Sequence, residues 1–126
     1  MIREILVLPH SHFDNGYVHP PAAERVLQAR WFAEALDLLD REPTARWCSE
    51  LTTPVLDWLE HAGPETVARA RRLVAEGRLG TGALRWNTTP LSDAEELRWL
   101  ARDAAVIRSR LGDPCRTAMQ HDVNGI

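Results

Sequence analysis

Residues 4–10, Glu4-Ile5-Leu6-Val7-Leu8-Pro9-His10, decide the fold class. The apolar run inside them is too short for a helix and does not alternate with polar residues. Such a run reads as a strand buried on both faces, the pattern of a parallel sheet. Asn15, Gly16, Pro20 and Pro21 then mark residues 13–21 as a loop. Over residues 22–41, Val26, Leu27, Ala29, Phe32, Ala33, Leu36 and Leu39 recur at helical spacing, and Pro43 closes that helix.

The alternation continues along the chain. Residues 45–51 (ARWCSEL) read as a second strand. Thr53-Pro54 predicts a capped helix start, followed by a helix to about His61. Gly63-Pro64 breaks it, and a further helix runs over 65–76 with Gly77 as its C-cap. Residues 78–86 (RLGTGALRW) predict a third strand, weakened by two glycines. Ser92 and Glu95 form a capping box for one long amphipathic helix to about Leu111, and Gly112 and Pro114 stop it. Residues 115–121 (CRTAMQH) predict a fourth strand. Strands alternating with helices give an α/β fold of parallel strands with helical crossovers. A parallel sheet that ends on a strand lacks its covering helix, so residues 1–126 are expected to be part of something larger.

Composition narrows the function classes. Of the 126 residues, 26% are charged and 44% hydrophobic, with a net charge of -3 and the two signs mixed. No basic stripe points to nucleic acid. Ile5 to Leu8 is too short for an export signal, and no stretch is long enough to span a membrane. Cys48 and Cys115 have no paired spacing, which fits two buried free thiols in a cytoplasmic protein and excludes a cysteine-rich zinc site.

The chemistry concentrates in His10-Ser11-His12-Phe13-Asp14-Asn15-Gly16-Tyr17. His10, His12 and Asp14 occupy alternate positions, which an extended backbone turns to one face. They follow the first strand, at the edge where parallel α/β folds build their sites. Imidazole with carboxylate is a ligand set for zinc or another divalent ion. Asp122 follows the fourth strand and would open on the same face, although alone it reads more readily as the start of a polar turn with Asn124 and Gly125. Glu50 ends the second strand, where a polar role on the same face is open. Trp58 and Trp99 lie on helices and read as packing, whereas Trp86, near a strand end, and Tyr17, beside the ligand motif, are the substrate-side aromatics. Arg69, Arg71 and Arg72 read as a solvated helix face.

The His10–Tyr17 segment resembles the N-terminal signature of glycoside hydrolase family 38, the α-mannosidases: His-Ser-His-x-Asp-x-Gly and then an aromatic. Trp47-Cys48-Ser49-Glu50, Glu76-Gly77-Arg78-Leu79, Ser92 to Glu95, and Asp122 with Gly125 follow in the family's order. The resemblance implies a retaining hydrolase of α-linked mannosides or related carbohydrates, built on the first part of a seven-stranded (β/α) barrel and truncated after the fourth strand. It implies zinc on His12, Asp14 and Asp122, with Asp122 also the catalytic nucleophile, and it makes His10 a neighbour of the metal rather than a ligand. Tyr17 stands where a sugar-stacking tryptophan is commoner, and Asn124-Gly125-Ile126 replaces the usual Phe-Gly-His. The acid and a fourth ligand, a histidine, come later in the family, so the remainder of the enzyme is an expected partner and the chain alone is expected to be inactive. Two other readings stand beside this one: a barrel-type amidohydrolase or phosphoesterase using both His10 and His12, and a non-catalytic metal- or sugar-binding fragment.

Overall fold

Three short strands, all parallel, form one sheet in the order β1-β2-β3: β1 (His10–Ser11), β2 (Trp47–Ser49) and β3 (Leu79–Thr81). The computed structural model describes residues 2–5, 7, 9–12, 14, 16–88 and 91–121. Helices α1 (Pro21–Arg41), α2 (Thr52–His61) and α3 (Pro64–Ala75) supply the crossovers, and α4 (Ala94–Ala101) and α5 (Ala104–Leu111) follow β3. The architecture is therefore the expected mixed α/β arrangement of parallel strands. Register pairs Ser11 with Ser49 and Ser49 with Thr81, so the three strands end level. The next residues, His12, Glu50 and Gly82, leave the same edge side by side.

The main core lies between the helices and the sheet. Phe32, Leu36 and Leu39 of α1 meet Val55, Trp58 and Leu59 of α2, with Leu73 of α3 and Ile107 and Leu111 of α5 completing it. Phe32 packs its ring against both Trp58 (centroids 4.9 Å apart) and Trp47 (5.7 Å), in the tilted and edge-on geometries that aromatic quadrupoles favour. A smaller cluster of Leu51, Leu84 and Leu100 seals the loop after β3.

Several sequence expectations are corrected. Among the described residues of 4–10, only His10 lies in a strand, which continues to Ser11, and Val7 is 82% exposed. An apolar run becomes a buried strand only where layers cover both faces, and no described residue covers Ile5 or Val7. Residues 115–121 form no strand; they pass the end of β3, held by Ala83 N–H donating to Thr117 O at 2.8 Å. The third strand is confined to Leu79–Thr81. The long helix from Ser92 is two helices, broken at Arg102 and Asp103, where buried Asp103 accepts from Arg85 Nε at 2.5 Å. The cap of α4 is Asp93, which accepts from the amides of Glu95 and Glu96, while the Ser92 hydroxyl bonds to Thr88. Thr53 lies inside α2 and donates to Arg85 O at 2.8 Å instead of capping.

On α3, Arg71 and Arg72 are exposed, as a solvated face requires, and the three arginines also reach neighbouring helices. Arg69 pairs with Asp37 (2.9 Å) and Asp40 (3.3 Å) of α1, Arg72 with Asp40 (2.5 Å), and Arg71 donates to Arg110 O of α5 (2.6 Å). This face clamps α3 to its neighbours. Arg78, after the Gly77 turn, likewise donates to Leu39 O, Glu42 O (2.8 Å) and Ala45 O (3.2 Å), closing the carboxyl end of α1. Orphan carbonyls at a helix end need such partners.

Gly82 is the tightest point of the sheet edge. Its amide donates to Ser49 O at 2.8 Å, and a Cβ there would run into the Glu50 carbonyl, 2.9 Å from its carbon and closer still to its oxygen. The obstruction is backbone, so it cannot rotate away. Gly82→Ala is expected to destabilise the fold by about 3 kcal/mol or more. Gly63→Ala, which meets nothing within 4 Å, should stay within about 1 kcal/mol of the parent. Urea unfolding of the two variants measures both, and equal midpoints would refute the packing argument.

Candidate active site

The level strand ends bring together residues far apart in sequence. His12 follows β1, and its Nδ1 lies 3.1 Å from Glu50 Oε2. Glu50 follows β2 and is 1% exposed. A buried carboxylate needs donors, and His12 Nδ1 is placed to be one. The Nε2 of the same ring is buried, has no hydrogen-bond partner among the described residues, and stands 3.4 Å from Asp14 Oδ1. His12 and Asp14 are thus brought together, as the motif predicts. Gly16, at φ +84, makes the turn beyond them with a backbone that a side chain would strain.

From β3 the chain adds Asn87. Its Nδ2 donates to Glu50 Oε1 (3.0 Å) and reaches His121 O (3.4 Å). The returning segment also offers Gln120 Oε1 to the amide of Thr88 at 3.2 Å. The His121 ring stacks on His10 (centroids 4.2 Å apart) and meets His12 edge-on at 6.4 Å. His10 is therefore engaged in a ring stack beside the His12–Asp14 pair. Asp122 lies outside the described residues, but its neighbour His121 reaches this edge.

The expected aromatics differ from each other. Tyr17 is 86% exposed. Trp86 packs against the Leu51, Leu84 and Leu100 cluster and lines a cavity of about 200 Å³ with Pro21, Arg25, Asp57 and Arg85. Trp58 is core, while Trp99 sits at the surface with the Arg85 guanidinium 5.1 Å from its ring centre. Sequence reading left Glu50 open and missed Asn87 and His121. The available signal was positional: Asn87 stands just past a strand end, and His121 precedes the Asp singled out there.

Among the described residues no group of three His, Cys, Asp or Glu side chains is arranged to hold a metal ion. His12 and Asp14 stand side by side there. A ring nitrogen held by a buried acid is one way proteins orient a histidine. Residues 3–126 match the N-terminal domain of the glycosyl hydrolases family 38. The chain belongs to glycosyl hydrolase family 38.

Solved structures agree on the fold. A protein in the glycosyl hydrolase family 38 from Enterococcus faecalis shares 18% identity at a TM-score of 0.68, over 88% of this chain and 13% of that one. An alpha-mannosidase from Enterococcus faecalis V583 shares 20% at a TM-score of 0.69, over 85% and 12%. The chain thus spans about an eighth of the length of these family 38 structures. No curated protein matches it. No described helix is long and apolar enough to cross a membrane.

Two residues before Glu50 stands Cys48, one of the two free thiols of this family 38 domain, and Cys115 is the other. Burial pushes the Cys48 thiol up to about 11, and the negative charge of Asp113 adds to it. Burial, and then Asp113, pushes Cys115 up to about 12. Both are thus protonated at neutral pH and poor nucleophiles. The folded chain binds more protons than the unfolded chain between about 9 and 11, so stability falls as pH rises through that window. The chain has no lysine, and its single tyrosine is exposed, so little else titrates there. Urea midpoints are expected to drop from pH 8 to pH 10.5, and disulfide-exchange labelling at pH 7.5 should be slow until the chain unfolds. A steady midpoint would contradict the burial of the thiols.

Proposed function

We propose that this chain carries the metal and nucleophile side of an α-mannosidase-like retaining glycoside hydrolase. One observation carries the reading: in a family 38 domain, His12 is held at Nδ1 by buried Glu50 and keeps Nε2 unpartnered beside Asp14. In this reading His12, Asp14 and Asp122 hold zinc. When bound, zinc supplies positive charge against the sugar's ring hydroxyls and favours the distorted ring of the transition state.

The reaction then falls to the side chains. The Asp122 carboxylate attacks the anomeric carbon of an α-linked mannoside or related sugar, the leaving oxygen departs, and a glycosyl-enzyme forms that water later hydrolyses with retention. A second carboxyl group must protonate the leaving oxygen. The family resemblance assigns that acid, and a further histidine ligand, to later residues supplied by the rest of the enzyme. Exposed Tyr17 is free to stack on a sugar ring, and half-buried Trp86 flanks the cavity at the start of α1 and α2. Residues 1–126 are then the first portion of a seven-stranded (β/α) barrel catalytic domain. The two free cysteines fit a cytoplasmic setting.

Calorimetry of the purified chain with zinc tests this reading. His12→Ala and Asp122→Ala should each weaken binding by more than about a hundredfold, beyond the usual effect of removing a supporting residue. His10→Ala should change it little; an equal loss there would favour the two-histidine metal hydrolase instead. The chain alone should not cleave an aryl α-mannoside, and turnover would show that the acid lies within these residues.

A further inference from the structure

A second concave feature lies on the side of the molecule where the helices begin. A cavity of about 200 Å³ opens at the starts of α1 and α2, and Pro21, Arg25, Thr53, Asp57, Glu60 and Arg85 are among the residues that line it. Its position follows from the topology. Pro21 starts α1 after β1, Thr53 comes shortly after Glu50, and Arg85 comes after β3 and shortly before Asn87. The cavity therefore sits toward the sheet end that carries His12 and Glu50. Thr53 Oγ1 donates to Arg85 O at 2.8 Å, which holds the loop after β3 against the start of α2. Arg25 gives Nε (2.8 Å) and Nη2 to Asp57, and Arg85 gives Nε to Asp103 at 2.5 Å. Asp57 and Asp103 are both buried, so each guanidinium is gripped along one edge and its remaining donors point in a fixed direction.

What remains uncommitted in this cavity is balanced. Among the described residues, Arg25 Nη1 and both terminal nitrogens of Arg85 form no hydrogen bond. The exposed Glu60 carboxylate forms none either, and acts on Arg25 through its charge. Arg25 and Arg85 are matched in number by Asp57 and Glu60, so the lining offers donors and acceptors without a net sign. An ion of either sign would meet one of these sets as a repulsion. A sugar would not. Each hydroxyl both donates and accepts, so neighbouring hydroxyls on one ring can take donors from a guanidinium and give a proton to a carboxylate. We propose that this cavity is a second sugar-binding subsite, one ring wide, in which Arg25 and Glu60 recognise adjacent hydroxyls. The proposal rests on the reading above for its ligand class, carbohydrate, and extends it from a single mannoside to a chain of sugars. A neighbouring cavity of about 420 Å³ shares Arg25, Asp57 and Glu60, so the groove continues along α1 and α2.

An NMR titration of the purified 126-residue chain, without metal, tests the proposal. The probes are methyl α-mannoside and, separately, inorganic phosphate, and the reporters are the backbone amides of Ala22 and Thr53 at the two helix starts. The mannoside should shift both amides saturably in the millimolar range. His12→Ala should bind it equally well, which separates this cavity from the proposed metal site. Arg25→Lys keeps the charge but loses the planar fork, and Glu60→Ala removes an exposed acceptor; each should weaken the mannoside about tenfold, the effect of losing a hydrogen bond to a charged group. Circular dichroism confirms that the variants fold, and should Arg25→Lys fail to fold, Glu60→Ala on the exposed face of α2 decides. No saturable shift at the two amides, or an unchanged affinity in Glu60→Ala, overturns the subsite. So does phosphate binding at these amides that tightens in Glu60→Ala, which would make the cavity an anion site. If zinc fails to bind while the mannoside behaves as expected, the metal reading falls and the subsite stands.

Discussion

A carboxylate 1% exposed at the end of a three-stranded sheet is an expensive object, and the geometry of this molecule is organised around satisfying it. Removing an ionised carboxyl group from water costs far more than a typical side-chain interaction returns, unless its oxygens find donors. Glu50 finds them in His12 and Asn87, which follow β1 and β3 respectively. The requirement is collective: the strands must end level for both donors to arrive. Register gives that, with Ser11, Ser49 and Thr81 in one row. Gly82 permits it, because only a residue without a side chain can pass the Glu50 carbonyl at that distance.

The helices hold the row in place through arginine. Every cationic side chain other than histidine in this chain is an arginine, and several are spent on carbonyls and carboxylates between elements. Arg78 closes the end of α1 and the loop into β2, Arg69 and Arg72 bind α3 to α1, and Arg25 grips both oxygens of Asp57 of α2 with Nε and Nη2. A planar fork of donors suits these fixed geometries better than a flexible ammonium. The Asp57 carboxylate in turn raises the Arg25 guanidinium above its ordinary value, as expected of a cation held against a largely buried anion. Such contacts add modestly to stability. Their greater effect is to fix where each helix sits, and so where each strand stops.

Legibility from sequence followed the range of the forces involved. Helices α1, α2 and α3 were readable because apolar spacing and Pro or Gly breaks are local signals, and their bounds fall within a few residues of expectation. The parallel α/β class was readable from the alternation of elements. The His12–Asp14 pair was readable because a two-residue spacing after a strand is also local. What failed was decided at a distance. The break between α4 and α5 is bound up with Arg85 reaching Asp103, eighteen positions away in sequence. Residues 4–10 and 115–121 have the composition of strands, but composition does not supply a neighbour to pair with. The reach of Arg69, Arg71 and Arg72 into α1 and α5 is invisible on a helical wheel, which shows only that the face is charged.

Asn87 illustrates the harder limit. Nothing in the local sequence marks it, since an asparagine after a tryptophan at a strand end reads as an ordinary turn residue. Its partners are 37 and 34 positions away, and His12 is 38 positions from Glu50. Local helices and the aromatic packing of α1 against α2 can form without any of these bonds. The polar cluster forms only when the strand ends align, because each of its members depends on a different crossover. A site of this construction is a sensitive reporter of the sheet: an error of one residue in register would turn His12 or Glu50 to the opposite face and leave a charged group buried without its partner. The same polar contacts that orient His12 therefore also select the correct register, which couples the specificity of the fold to the geometry at its edge.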